Sequence, residues 1–212
     1  MPYHAPMPVY LDQQPAQISA PTLGQLLAAA RQHLAQGHED GPPPRVVVEI
    51  AVDGQPIPEA QLNDRLQDDI ALQEVHLTTA DPRELAVQTL RDVQQALTGA
   101  QQLQQEAADL LQQDQTPAAL QKVGESIESW LQVQQAVLQS TVLLAIDLDQ
   151  LQVDGQPAHS LTTDAVQQLQ DIKTFIQAND TVALADALQY EWPEITQRWH
   201  TLIDTLVTTI EK

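Results

Sequence analysis

Apolar positions recur along this chain with two different periods. Up to about residue 80 they alternate or run in short β-branched blocks, and beyond it they return every three or four residues. The strongest helical stripe closes the chain: Leu184, Leu188, Trp192, Ile195, Trp199, Leu202, Leu206 and Ile210 fall on one face. Two of the three tryptophans lie in it. A buried indole removes ~150–250 Å² from water, so this helix is expected to be a main stabiliser of a bundle. Pro193 sits inside it, and its ring and missing N–H predict a kink near Gln189, with the stripe continuing in phase.

Three further helices are expected before it. Asp81-Pro82 opens the first, with Ala86, Leu90, Val93, Leu97, Ala100, Ala107 and Leu111 inward and Gln104 interrupting the register. Thr116-Pro117 opens the second, whose inward face is Leu120, Val123, Ile127, Trp130, Val137, Thr141 and Leu144. Residues 147–163 read as a connection, the third helix takes Val166, Leu169, Ile172 and Ile176 inward, and Asn179-Asp180 caps the fourth. The expectation is an antiparallel bundle of about four helices over residues 81–212.

Val142–Ile146 is the longest apolar run and is core-sized, far short of a membrane span. Gln104, Gln134 and Thr141 are polar residues on the seam. They are expected at its wet edge, because a buried unpaired amide costs ~1–3 kcal/mol. The competing expectation is a groove that admits an amphipathic partner helix. Tyr190 falls off the stripe. An exposed aromatic is a common interaction anchor, which makes Tyr190 the candidate partner-binding residue.

The first 80 residues have a different texture. After a proline-rich leader, Val9–Ile18 reads as a hairpin turning at Asp12 to Pro15, and Ser19 or Thr22 caps a helix whose face is Leu23, Leu26, Leu27, Ala30 and Leu34. Gly37 is its stop, and Gly37–Pro44 is a loop. Arg45–Val52 is the strongest strand signal, Asp53-Gly54 turns it, Pro58–Leu66 suits a short helix, and Glu74–Thr79 alternates as a strand. Strand, strand, helix, strand, short helix, strand is an order that resembles a β-grasp (ubiquitin-like) domain. The fold class expected is therefore α+β, with a β-grasp-like domain at 1–80 and a helical bundle at 81–212. Val52-Asp-Gly-Gln-Pro56 is echoed by Val153-Asp-Gly-Gln-Pro157, which reads as two similar turns in unlike surroundings.

Charge narrows the function classes. Nine Lys+Arg against 29 Asp+Glu give a formal charge of -20, with ten acids and three bases in residues 1–80 and nineteen and six in 81–212. A field of that sign repels phosphate backbones and anionic membranes, so nucleic acid and lipid are not expected partners. It favours solubility, and it suits a salty habitat or a basic, amphipathic partner. No cysteine is present, which leaves no disulfide frame or thiolate site. The start lacks a signal peptide's basic and apolar regions, and no apolar run is long enough to span a bilayer, so a cytoplasmic protein is expected.

Motifs for chemistry fail one by one. Asp147, Asp149 and Asp154-Gly155 suggest a calcium loop, but its fifth, sixth and twelfth positions would be Leu151, Gln152 and Ala158. The histidines (His4, His33, His38, His76, His159, His200) lack ligand spacing, and Glu194 with Arg198 reads as an i,i+4 surface pair. The glycines form neither a phosphate cradle, a dinucleotide fingerprint nor a nucleophile elbow. No cofactor, metal or catalytic residue is expected, and the chain is read as not an enzyme.

One resemblance bears on function. Asn179-Asp-Thr-Val-Ala-Leu-Ala-Asp186-Ala-Leu-Gln-Tyr190-Glu-Trp-Pro193-Glu-Ile-Thr-Gln-Arg-Trp199 resembles the closing helix of uncharacterised bacterial proteins that join a small β-rich domain to a helical bundle. The bundle half also resembles, distantly, the small acidic helical chaperones of flagellar and type III export. The resemblance implies a non-enzymatic protein that shields a secreted or assembling partner. Expected first is a chaperone- or adaptor-like interaction module holding an amphipathic segment. A homo-oligomer assembling through a sheet edge or the bundle flank is the alternative, and an acidic enzyme with a motif-free carboxylate site is a further one.

Overall fold

A computed structural model of the chain describes residues 8–36, 43–70 and 73–212. The leader up to residue 7, the helix stop at Gly37 and the loop as far as residue 42, with His4 and His38, lie outside the described residues. The class is α+β: a five-stranded sheet toward the N-terminus is followed by a mostly helical region. Two compact units divide the chain, Met1–Leu85 and Ala86–Lys212.

In the first unit, β1 (Val9–Leu11) and β2 (Gln14–Ala16) form a hairpin whose two turn residues, Asp12 and Gln13, both have positive φ (48° and 67°). That is the mirror-image turn matching the twist of paired strands. Thr22 caps α1 (Leu23–Ala35), its hydroxyl accepting from the Gln25 N–H at 3.4 Å. β3 (Val46–Val52) turns through Asp53-Gly54 into β4 (Gln55–Pro56), and α2 (Glu59–Arg65) leads to β5 (Val75–Ala80). Strand order is β2-β1-β5-β3-β4; β1 runs parallel to β5, and β3 antiparallel to it.

Alternation along the strands turns Ile50, Val52, Val75 and Leu77 inward, where they meet Leu23, Leu26 and Ala30 of α1. α1 also comes close to the chain after α2. The Gly24 N–H bonds the Leu66 carbonyl at 2.8 Å, and a Cβ on Gly24 would stand 2.9 Å from that oxygen.

In the helical unit, the long α3 (Pro82–Gln112) is followed by α4 (Thr116–Leu143), α5 (Ala158–Ala178), α6 (Thr181–Asp186), a π-helical turn (Ala187–Glu191) and α7 (Trp192–Ile210). The last three follow one another without a break. Trp130, Trp192 and Trp199 are all buried, and Trp130 meets both others edge to face at 4.9 and 5.5 Å. Every member of the C-terminal stripe is buried except Ile195, which is half-buried. A π-turn lies at Gln189, where the kink is expected. Pro193 has no N–H to return to the preceding turn, and the Trp192 N–H reaches back to the Ala187 carbonyl instead.

Other expectations are corrected. Residues 147–163 are not all connection: β6 (Gln152–Val153) and β7 (Gln156–Pro157) pair as a hairpin, and α5 has begun by Ala158. This hairpin repeats the β3–β4 turn closely, with φ of 51° and 77° at Asp154-Gly155 against 50° and 75° at Asp53-Gly54. Val166 faces solvent, and the inward face of α5 is Leu161, Ala165, Gln168 and Ile172. α4 ends at Leu143 within the Val142–Ile146 run, with Val142 on its outer face, Ala145 in a left-handed conformation, and Leu144 and Ile146 packed against the core. Gln104 and Thr141 are not at a wet edge but buried, since the α3 register continues straight through Gln104 between Ala100 and Ala107.

Candidate functional site

α5 has a polar cleft on one flank and an apolar groove on the other. The cleft is open and shallow, lined by Asp164, Gln167 and Gln168 of α5, Tyr190 and Glu191 of the π-turn, and Glu194, Ile195 and Arg198 of α7. Tyr190 is 64% exposed, as expected from its place off the stripe. The wider π-turn carries Tyr190 and Glu191 over the cleft. Such turns recur at functional sites.

Arg198 does not pair with Glu194. Its guanidinium donates to Asp164 at 3.0 Å and to Gln156 at 3.1 Å, tying α7 to α5 and to the β6–β7 hairpin. Gln168 donates its amide to the Glu191 carboxylate. Three carboxylates (Asp164, Glu191, Glu194) and one guanidinium thus line the cleft. A cationic side chain from outside would find opposite charge and an aromatic face in one place.

The groove on the other flank is lined by Ile127 of α4 and by Leu169, Ile172, Lys173, Ile176 and Gln177 of α5. It is continued along α4 by Leu131 (52% exposed), Leu138 (59%) and Val142 (72%), which share a helix face with Ile127. Val166 extends the α5 side. The single inward face expected of α4 leaves out Leu131, Leu138 and Val142 of this second one. Its signal was present in the spacing of 131, 138 and 142, and in the absence of any charge from Ser129 to Ile146.

Among the described residues, no three His, Asp or Glu side chains gather as metal ligands would. No helix among the described residues is long and apolar enough to cross a membrane.

Residues 88–202 match the model of a family described as a domain of unknown function, DUF8042, over more than half of the chain. The chain belongs to the DUF8042 family. The DUF8042 region runs from the second turn of α3 to Leu202 in α7 and so contains both the cleft and the groove. No curated protein and no solved structure matches the chain.

Proposed function

We propose that the DUF8042 helical unit is a non-enzymatic, cytoplasmic interaction module, chaperone- or adaptor-like, that holds an amphipathic helix of a partner protein along the α4–α5 groove. The observation that carries this reading is the apolar row Leu131, Leu138 and Val142, left uncovered and continuous with Ile127, Leu169 and Ile176. Apolar side chains at helical spacing on two adjacent helices form a seat for a third helix. The chain's charge of -20 selects a partner whose polar face is basic. Tyr190, with Glu191 and Glu194 beside it, serves as a second anchor for a cationic side chain.

The strand order β2-β1-β5-β3-β4, with β1 and β5 parallel, supports reading the first unit as β-grasp-like. The unbroken run from α6 through α7 supports reading the helical region as four antiparallel rods. A place in flagellar or type III export follows only from the resemblance of the closing helix and the bundle.

The test is affinity purification from native cells with wild type, Leu138→Asp/Val142→Asp and Tyr190→Ala. The dominant partner is then resolved to a peptide, and that peptide's affinity is measured for each protein. The expected result is a basic amphipathic helix that raises the melting temperature of wild type. It should bind the groove variant at least ~10-fold more weakly, in line with a hot-spot loss of ~1.4 kcal/mol or more, and Tyr190→Ala by a smaller factor. Equal affinity for wild type and the groove variant would remove the groove from the proposal. A concentration-dependent mass without any partner would favour the homo-oligomer.

A further inference from the structure

The helical core contains several buried polar atoms without a hydrogen-bond partner: Oε1 of Gln104, Nε1 of Trp130, Nε2 of Gln134, Nε1 of Trp192 and Oγ1 of Thr196. They come from three different helices, yet the inter-helix bonds place them at one height. Gln112 bonds Gln189 at 2.9 Å, Gln94 bonds Asp204 at 2.8 Å, and Arg91 pairs with Glu211 at 2.7 Å. These pairs fix α3 antiparallel to the closing helices and bring Gln104 level with Thr196. Trp130 of α4 packs its ring against both Trp192 and Trp199, which flank Thr196 by about one turn on either side. Gln134 lies one turn along α4 from Trp130. The third indole is different, for Trp199 donates to the Leu161 carbonyl at 3.3 Å.

These atoms include both donors and acceptors. Two indole N–H groups, an amide N–H and a hydroxyl offer protons, while the Gln104 oxygen and the Thr196 hydroxyl are the acceptors. None of these groups pairs directly with another. A group that accepts from two neighbours and donates to two others closes such a network, and leaving it open costs ~1–3 kcal/mol per atom. An anion would also accept, but the unit's seventeen acids against five bases disfavour it. Around this height α3 and α5 present the buried Ala100, Ala107, Ala108 and Ala165.

We infer that the centre of the helical unit is a built site for neutral hydrogen-bonding solvent: internal water held between Gln104, Thr196 and the indoles of Trp130 and Trp192. Each such water is held by ~3 hydrogen bonds to groups that would otherwise be unpaired. The site is separate from the cleft and the groove, and it stands whether or not a partner helix binds.

The experiment is NMR of the full chain, with the three indole N–H resonances assigned by single Trp→Phe variants. Dipolar cross-peaks to water, of the sign that distinguishes them from proton exchange, are expected at the Nε1–H of Trp130 and Trp192 and not at that of Trp199, which serves as the internal control. In Gln104→Leu/Thr196→Val the two cross-peaks are expected to disappear, while the ring-to-ring contacts of Trp130 persist. Wild type lacking cross-peaks at both indoles would overturn the inference, as would cross-peaks of equal strength at all three. Cross-peaks that survive in a folded double variant would do so too. Should the double variant not fold, Thr196→Val alone supplies that arm, with a clear loss of intensity at one or both indoles expected and unchanged intensity counting against the site.

Discussion

Trp199 shows how much one side chain carries. Its ring is fully buried against Trp130, and its N–H is bonded to Leu161. Trp199→Ala is expected to cost about 3–5 kcal/mol, the range for large aromatic truncations in a core, and a denaturant titration of the variant measures it directly. Asp12 illustrates an electrostatic effect at the same scale. Partial burial pushes its carboxyl up, but the hydroxyl and backbone N–H of Thr79, at 2.6 and 2.7 Å, and the Arg45 guanidinium at 3.8 Å outweigh that. Its pKa is therefore lowered from the ordinary 3.8. A lowered folded-state pKa contributes stability that is present above the unfolded value and lost as pH falls through the folded one. Wild type is therefore expected to exceed Asp12→Asn in melting temperature near neutral pH, with the gap closing below about pH 4. A gap that does not change with pH would show that the charge of Asp12 plays no part.

Among the elements, the two Asp-Gly hairpins give the sharpest local prediction. Gly54 and Gly155 adopt φ of 75° and 77°, with no atom near enough to obstruct a side chain. A substitution there is strained by backbone conformation alone. Gly54→Ala and Gly155→Ala are each expected to cost roughly 1–2 kcal/mol, and similar losses of melting temperature would reflect their shared turn. These turns were legible in the sequence because Asp-Gly after an apolar residue names its own backbone geometry. So was the C-terminal stripe, whose three-and-four spacing survives the π-turn. The β6–β7 hairpin was hidden because two-residue strands show no alternation. The α4 groove was hidden for another reason: α4 has apolar residues on two faces, and periodicity alone does not say which one the other helices cover. Gln104 misled because its chemistry argues for water while its register argues for the core, and the register prevailed. Tyr190 stood out as the residue off the stripe, but its neighbours Asp164 and Gln168 come from another helix.

For the whole molecule the dominant quantity is charge. With -20 distributed over both units, self-repulsion opposes folding, and the ion pairs that offset it are mostly at the surface. Raising ionic strength from about 0.01 M to 0.15 M shortens the screening length from ~30 to ~8 Å and is expected to raise the melting temperature. A fall would mean that the ion pairs outweigh the repulsion. Each unit also has its own core, with no residue common to the two apolar clusters. The indoles are confined to one of them. Intrinsic emission excited at the red edge will therefore follow the helices alone, and the sheet could melt without dimming it. A far-ultraviolet or calorimetric trace is needed beside the optical one before this chain is described as unfolding in a single step.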